Sequence, residues 1–278
     1  MNLTIHESGN TNAPAIIFLH GLGVSSWMWV EQTAELSKAY HCIAVDLPGS
    51  GESYQAEWRS MADSAAQVAD IIRAKATGKT AHVVGLSLGG YVGLNLLAQH
   101  PEVVNTMIVS GITTRPFKPQ WLVSPLIGLT KRMLRMRWVL RMSAKAMRLP
   151  DEAVALYERD GGRLSAETIE RIYAEVLNIN LPTNLTSSDR PLLVVAGDKE
   201  AGLVLNSLSD LPNQLPTAVA AQVPNVHHGW AGEAPDLFTQ MIEQWITEQS
   251  IPPTFKLVAG KLPQLHLKTH SRAFSGCD

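Results

Sequence analysis

Short runs of consecutive apolar residues recur along the chain: AIIFLH (15–20), CIAVDL (42–47), AHVVGL (81–86), TMIVSG (106–111), LLVVAG (192–197) and TAVAAQV (217–223). Within each run the apolar residues are continuous rather than alternating, which suits strands buried on both faces of a parallel sheet. Between the runs lie segments of helical spacing at roughly 26–39, 60–77, 88–100 and 233–249. In the last of these, Leu237, Met241, Ile242 and Trp245 fall on one helical face. Strand–helix alternation of this kind predicts an α/β fold, a mostly parallel sheet with helices on both faces.

The alternation stops between 112 and 189, where no comparable strand run occurs. That stretch reads as helices separated by SP, LP and DGG breaks, and so as a helical cap inserted between two sheet strands. Its segment 131–148 interleaves seven basic residues with Met, Leu and Trp. A solvated basic face of a cap helix explains that pattern; a surface that meets lipid or an anionic substrate is the functional alternative. After 250 the periodicity ends, predicting a surface appendage. The expected organisation is therefore core 1–111, cap 112–189, core 190–249 and appendage 250–278.

With 278 residues and 45% apolar content the chain can build a sizeable core, and 17% charged residues are too few for disorder. A net charge of −2 gives no general attraction to nucleic acid. The two cysteines, Cys42 and Cys277, make neither a zinc-like spacing nor a haem-attachment motif, and Cys42 sits in an apolar run as a small hydrophobe. The N-terminus lacks the basic flank and apolar core of a secretory signal. No run reaches the ~20 apolar residues of a membrane span. The expectation is a soluble, cytoplasmic protein without an integral membrane segment.

Candidate chemistry begins at VVGLSLGG (83–90). Gly85-Leu86-Ser87-Leu88-Gly89 follows a buried-strand run and opens a helix, the strand–turn–helix setting of a nucleophile elbow, with Ser87 raised above the carboxyl end of the sheet. A serine hydroxyl needs a base. Of nine histidines, His227 and His228 lie in a loop between the last strand and the last helix, and being adjacent they cannot easily point the same way. A base in turn needs an orienting carboxylate, and AGDKEAG offers Asp198 or Glu200 at the end of the preceding strand. The helix opening behind Ser87 presents the Leu88 N–H. The loop His20-Gly21-Leu22-Gly23, after an early strand, presents the Leu22 N–H, and the two form an expected oxyanion hole. His20 is expected to shape that loop rather than act as a second base.

Four blocks in this order, HGLGVSSWMW, DLPGSGES, GLSLGG and HGWAGEAPDLF, resemble the α/β-hydrolase superfamily, in particular its compact cap-bearing esterase, lactonase and haloperoxidase-like branch. The resemblance covers about 1–249 and implies the α/β-hydrolase fold. It sets Glu200 at the position of the family's triad acid and Asp198 at a variable one. It also matches His228 with Glu233 and Pro235 to the family's histidine block, selecting His228 over His227. The resemblance thereby implies a serine carboxylesterase acting on a small-molecule ester through an acyl-enzyme, with a Ser87–His228–Glu200 triad and no cofactor or metal. A lactonase, thioesterase or C–C bond hydrolase would use the same triad, and a perhydrolase the same acyl-enzyme. A receptor of this fold with low turnover is the rival from another class. The basic segment 131–148 tilts the expectation toward an acidic or CoA-bearing substrate.

Overall fold

The computed structural model describes residues 3–262 except 135, 147, 148 and 150. Among the described residues eight strands form one sheet: β1 (Ile5–Ser8), β2 (Ala15–Leu19), β3 (His41–Val45), β4 (Ala81–Leu86), β5 (Val104–Ser110), β6 (Leu192–Gly197), β7 (Ala218–Val223) and β8 (Lys256–Ala259). Their spatial order is β1-β3-β2-β4-β5-β6-β7-β8. The edge strands β1 and β8 run antiparallel to their neighbours and the six between are parallel. The chain steps outward from β2 to β3, then returns to lay β4 on the other side of β2. Strand order reverses there, and open parallel sheets form their crevice at such a point, outside the carboxyl ends of the strands.

Helices follow the strands: α1 (Val30–Leu36), α2 (Met61–Lys75) and α3 (Leu88–Gln99), then α4 (Val123–Met133), α5 (Arg137–Ala146), α6 (Asp151–Arg163) and α7 (Ala166–Leu177). After β6 come α8 (Gly202–Leu205), α9 (Trp230–Glu233) and α10 (Pro235–Glu248). Alternate strand residues face opposite sides of the sheet. Ile17, Leu19, Val83, Met107 and Val109 join the core under α2 and α3. Ile16, Phe18, Val84, Leu86 and Ile108 pack toward the other side, where Met241, Ile242 and Trp245 of α10 lie. This second core is aromatic, with Phe238 tilted against Trp29 and Trp230 at centroid distances of 5.6 and 4.4 Å. Cys42 is fully buried there, and burial pushes its thiol up to about 12.

Local chemistry sets several boundaries. Ser60 Oγ accepts the Asp63 N–H at 3.0 Å to cap α2, and Ser165 Oγ does the same for Thr168 at α7. Pro235 opens α10, where its missing N–H costs nothing. The segment 26–39 is a single 3₁₀ turn, Ser26–Trp29, leading into the short α1 rather than one long helix.

Four helices, α4 to α7, lie between β5 and β6. The DGG triplet at 160–162 is not a break: α6 runs through it. A Cβ on Gly161 would meet Leu140 of α5 at 2.8 Å, so this glycine serves a close helix–helix approach. The helical segment is also tied to the sheet core. Glu175 of α7 accepts the Trp58 indole N–H at 3.0 Å and the Met61 N–H at 2.9 Å. At its entry, Arg115 grips Asp210 through two 2.8 Å bonds.

The tail after 250 is not all appendage. Phe255 is buried and β8 pairs antiparallel with β7. Four residues with three exposed side chains leave no hydrophobic period to read, so edge pairing is what makes this strand. Residues 263–278 lie outside the described residues. Among those described, no helix is long and apolar enough to cross a membrane.

A fully buried histidine, His20, and a half-buried one, His82, link this fold to pH. Burial lowers His82 to about 4 and also lowers His20. Both are neutral in the folded chain, whereas an unfolded histidine takes up a proton near pH ~6.5. The unfolded chain therefore binds more protons below that pH. For His82 the stabilisation is complete above ~6.5 and is lost on acidification toward about 4, at up to about 1.4 kcal/mol per pH unit, and His20 acts in the same direction. Urea midpoints measured between these pH values should fall with acidification, and His82→Gln should flatten the slope. A midpoint independent of pH across this window contradicts the assignment.

Candidate active site

The carboxyl ends of β2, β4, β6 and β7 converge on one crevice. At the end of β4, Ser87 adopts φ 54° and ψ −114°, a conformation that side chains other than glycine rarely take. Close backbone packing enforces it. A Cβ on Gly85 would meet the Gly89 carbonyl oxygen at 2.4 Å, and one on Gly89 would meet the Leu19 carbonyl oxygen at 2.0 Å. Strand β4, the start of α3 and the end of β2 thus touch backbone to backbone, and only the Gly-x-Ser-x-Gly spacing permits it. The Ser87 N–H donates to the Ser110 carbonyl at 2.8 Å, pinning the turn to β5. Leu88 is the first residue of α3, where an N–H has no partner within the helix.

The adjacent histidines separate as expected of neighbours. His227 turns to Glu233, which takes its backbone N–H at 2.9 Å and lies 3.1 Å from Nδ1. His228 instead places Nδ1 2.7 Å from Glu200 Oε2. The Glu200 side chain is 2% exposed while that of His228 is 48% exposed, so a buried carboxylate holds a ring that faces the crevice. Asp198, two residues earlier, is exposed. Gly111, just after β5, is the unforeseen member of this group. It has φ +67°, and a Cβ there would sit 2.7 Å from His228 Cε1 and 3.1 Å from Glu200 Oε1. Glu200 Oε1 is buried against that glycine, with no hydrogen-bond partner among the described residues.

Ser87, Leu22, Leu88 and His228 line one cavity of about 620 Å³, within the usual range for small-molecule sites. Among the described residues no hydrogen bond joins Ser87 Oγ to the His228 ring. The helical segment between β5 and β6 supplies part of the remaining wall through Leu134, Leu149, Tyr157, Ile172, Tyr173 and Val176, and the loop after β2 supplies more through Val24, Trp27 and Met28. Among the described residues, the acidic and basic side chains that line it are two carboxylates, Glu31 and Glu152. Among the described residues none of the basic side chains of 131–148 lines it: Arg137 and Arg141 point to solvent with 85% and 61% exposure.

The loop after β2 is fixed from several directions. His20 is fully buried, and its Nε2 receives the Leu47 N–H at 3.0 Å. Its proton therefore sits on Nδ1, which donates to the Gly21 carbonyl at 2.7 Å. Burial, which lowers its pKa, keeps this tautomer neutral, and so His20 shapes the loop. Asp46 accepts the Ser26 and Glu52 N–H groups at 2.8 Å each. Burial alone would raise its pKa, but these bonds bring it below the ordinary carboxylate range. From α6, buried Asp160 takes Ser25 Oγ at 2.7 Å and the Trp27 indole N–H at 2.8 Å through one oxygen. Arg159 balances its other oxygen at 2.8 Å. Sitting in a triplet that reads as a loop break, Asp160 gives no sequence signal for this bond across 135 residues. Among the described residues no cluster of three or more His, Cys, Asp or Glu side chains could hold a metal ion.

Comparison with known proteins agrees with this architecture. Residues 14–143 match the family model described as the alpha/beta hydrolase fold. An AB hydrolase superfamily protein of Gibberella zeae is 28% identical, covering 91% of this chain and 87% of its own. The enol-lactonase of Burkholderia xenovorans superposes with a TM-score of 0.74 at 21% identity, over 88% of this chain and 96% of that one. A thermophilic esterase from Thermogutta terrifontis gives 0.72 at 21% identity, over 88% and 92%. The reversal of strand order at β2 and β4, the strained serine between them and these similarities lead to one architecture: this chain has the α/β-hydrolase fold.

Proposed function

We propose that this hydrolase cleaves neutral carboxylic esters through an acyl-enzyme on Ser87, and that α4 to α7 form a cap over the site. The observation that carries the reading is the 2.7 Å contact between His228 Nδ1 and buried Glu200, in the crevice that Ser87 faces. Accepting the Nδ1 proton, Glu200 leaves the Nε2 lone pair free to serve as the base. Ser87 Oγ attacks the ester carbonyl carbon as Nε2 takes its proton. The Leu22 and Leu88 N–H groups receive the oxyanion, donors whose removal can cost about 3–4 kcal/mol in comparable sites. Collapse of the tetrahedral intermediate expels the alkoxide, which leaves as the alcohol with the proton from His228. Water, activated by the same ring, then releases the acid. Nucleophile–base hydrogen bonds are often long before substrate binds and tighten in the complex.

The cavity also narrows the substrate class. Its wall is aliphatic and aromatic, and Glu31 and Glu152 would repel an anionic acyl group. The tilt toward acidic or CoA-bearing substrates drawn from segment 131–148 finds no support among the described residues, because Lys131, Arg132, Arg137, Arg141 and Lys145 line none of the cavity. A lactonase using the same residues is the second reading, favoured by the cavity's apolar wall, which suits a compact neutral ring as well as an open ester.

Three outcomes test this reading. Ser87→Ala should lower ester turnover by at least roughly 10³-fold, with unchanged circular dichroism and no labelling by a fluorophosphonate; rapid labelling of the wild type at Ser87, read by intact mass, separates an enzyme from a binder. Glu200→Gln should reduce kcat by roughly 10²- to 10⁴-fold, whereas Asp198→Asn should change it little, and an inverted ranking would reassign the acid. Compared as esters of one phenol, a neutral butanoyl group should give a higher kcat/KM than an anionic succinyl group, with the gap shrinking as salt screens the carboxylates. Preference for the succinyl ester refutes the substrate class.

A further inference from the structure

We propose that the outer face of α4 and α5 docks this protein on an anionic lipid surface. Charge is distributed very unevenly along the chain. Residues 112–150 contain nine Lys and Arg and no Asp or Glu, while the remainder holds fourteen Lys and Arg against all twenty-five acidic residues. A chain of net charge −2 thus carries one strongly cationic segment.

The same segment exposes apolar side chains in register. Trp121, Pro125, Leu129 and Met133 are spaced four apart along the 3₁₀ turn Gln120–Leu122 and α4, and all are exposed. On α5, Trp138 and Met142 are exposed one turn apart and Lys145 follows. The opposite faces are buried, through Val123 and Ile127 on α4 and Val139, Leu140 and Ala144 on α5. Trp121 and Trp138 are 74% and 63% exposed, which water alone does not favour for such large rings.

Cations flank these stripes. Glu158 takes Arg141 at 2.6 Å and Arg137 only at 3.5 Å, and Lys131 pairs with Glu170. Arg132 and Lys145 make no ion pair among the described residues. Arg137, Trp138, Arg141, Met142 and Lys145 together line a surface depression. Two carboxylates against five described cations leave the face positive.

Each component has a counterpart in a bilayer surface. Indole rings settle at the headgroup level, aliphatic and thioether side chains enter the acyl boundary, and every Lys or Arg near anionic headgroups adds to the attraction. A nucleic-acid backbone would satisfy the cations but leave Leu129, Met133 and Met142 against phosphates and water. A second copy would bring like charges face to face. An anionic bilayer satisfies both halves of the surface. The face is also the outer wall of the candidate site: Met133 faces solvent while Leu134, the next residue, lines the cavity. Docking there would bring the cavity wall close to apolar molecules dissolved in the membrane, although the docking itself does not rest on the ester reading.

Flotation of the full chain with vesicles tests this without turnover. Vesicles containing phosphatidylglycerol should carry the protein upward, pure phosphatidylcholine vesicles should not, and high salt should release it. Arg132→Glu combined with Lys145→Glu should weaken partitioning by roughly a hundredfold. Trp138→Ser combined with Met142→Ser should weaken it too, and remove a blue shift in tryptophan emission on vesicle addition. Both double variants should hydrolyse a water-soluble ester at the wild-type rate, or retain the wild-type circular dichroism if the chain proves inactive. Equal binding to neutral and anionic vesicles, binding that survives the charge reversal, or preference for a DNA duplex over anionic vesicles overturns the proposal. Should a variant fail to fold, the lipid and salt dependence of the wild type decides alone.

Discussion

Backbone contact among β2, β4 and α3 is the constraint on which the rest of this site depends. With Gly89 against the Leu19 carbonyl and Gly85 against Gly89, the strand cannot pass smoothly into the helix, and the residue between must turn at positive φ. That residue is Ser87. The strain is held by a buried parallel sheet whose apolar strands cannot shift register without exposing their core faces. The same contact aims the N-terminus of α3 at the space above Ser87, where a negative charge is favoured by the helix dipole. One packing requirement therefore fixes both a raised hydroxyl and an N–H donor beside it.

Around this fixed point the polar groups are graded by exposure. Glu200 is buried to 2% and touches a ring that is half exposed, so the carboxylate is rigid while the imidazole meets the cavity. Gly111 removes the side chain that would otherwise stand between them. The loop bearing Leu22 is gripped by Asp46 from the sheet side and by Asp160 from α6. Both carboxylates are buried and hydrogen-bonded through both oxygens, so moving that loop would strand a charge, a cost of several kcal/mol for one left unpaired. The position of the helical segment is thereby coupled to the position of the Leu22 N–H.

The parts legible in the sequence are those whose physics is local. Continuous apolar runs mark buried parallel strands because both faces need covering. The Gly-x-Ser-x-Gly spacing marks a close approach because no Cβ fits. In the sequence, only resemblance distinguishes Glu200 from Asp198; the geometric counterpart, one side chain buried and the other exposed, depends on how the loop after β6 folds back against Gly111. Asp160 and Gly161 mislead a sequence reading for a related reason. A short Gly-rich triplet looks like a helix stop, yet here it packs α6 against α5 and hands a carboxylate to a loop 135 residues away. Strand β8 leaves no trace because edge strands with exposed side chains draw their order from a neighbour's backbone rather than from hydrophobic period.

Charge in this molecule is sorted by side of one thin wall. Inward, α4 to α7 present Leu134, Tyr157, Ile172 and Val176 to the cavity, with Glu31 and Glu152 as its charged side chains among the described residues. Outward, α4 and α5 present arginines, lysines and exposed tryptophans. The described outer cations line none of the cavity, whose described charged side chains are carboxylates, so those cations make no funnel into the site. Their long stems instead lie beside exposed Trp and Met side chains, the combination that an interface between water and lipid rewards on both counts. The outer and inner faces thus select for different things: charge and amphipathic surface outside, uncharged apolar volume inside. A single helical layer separates the two selections.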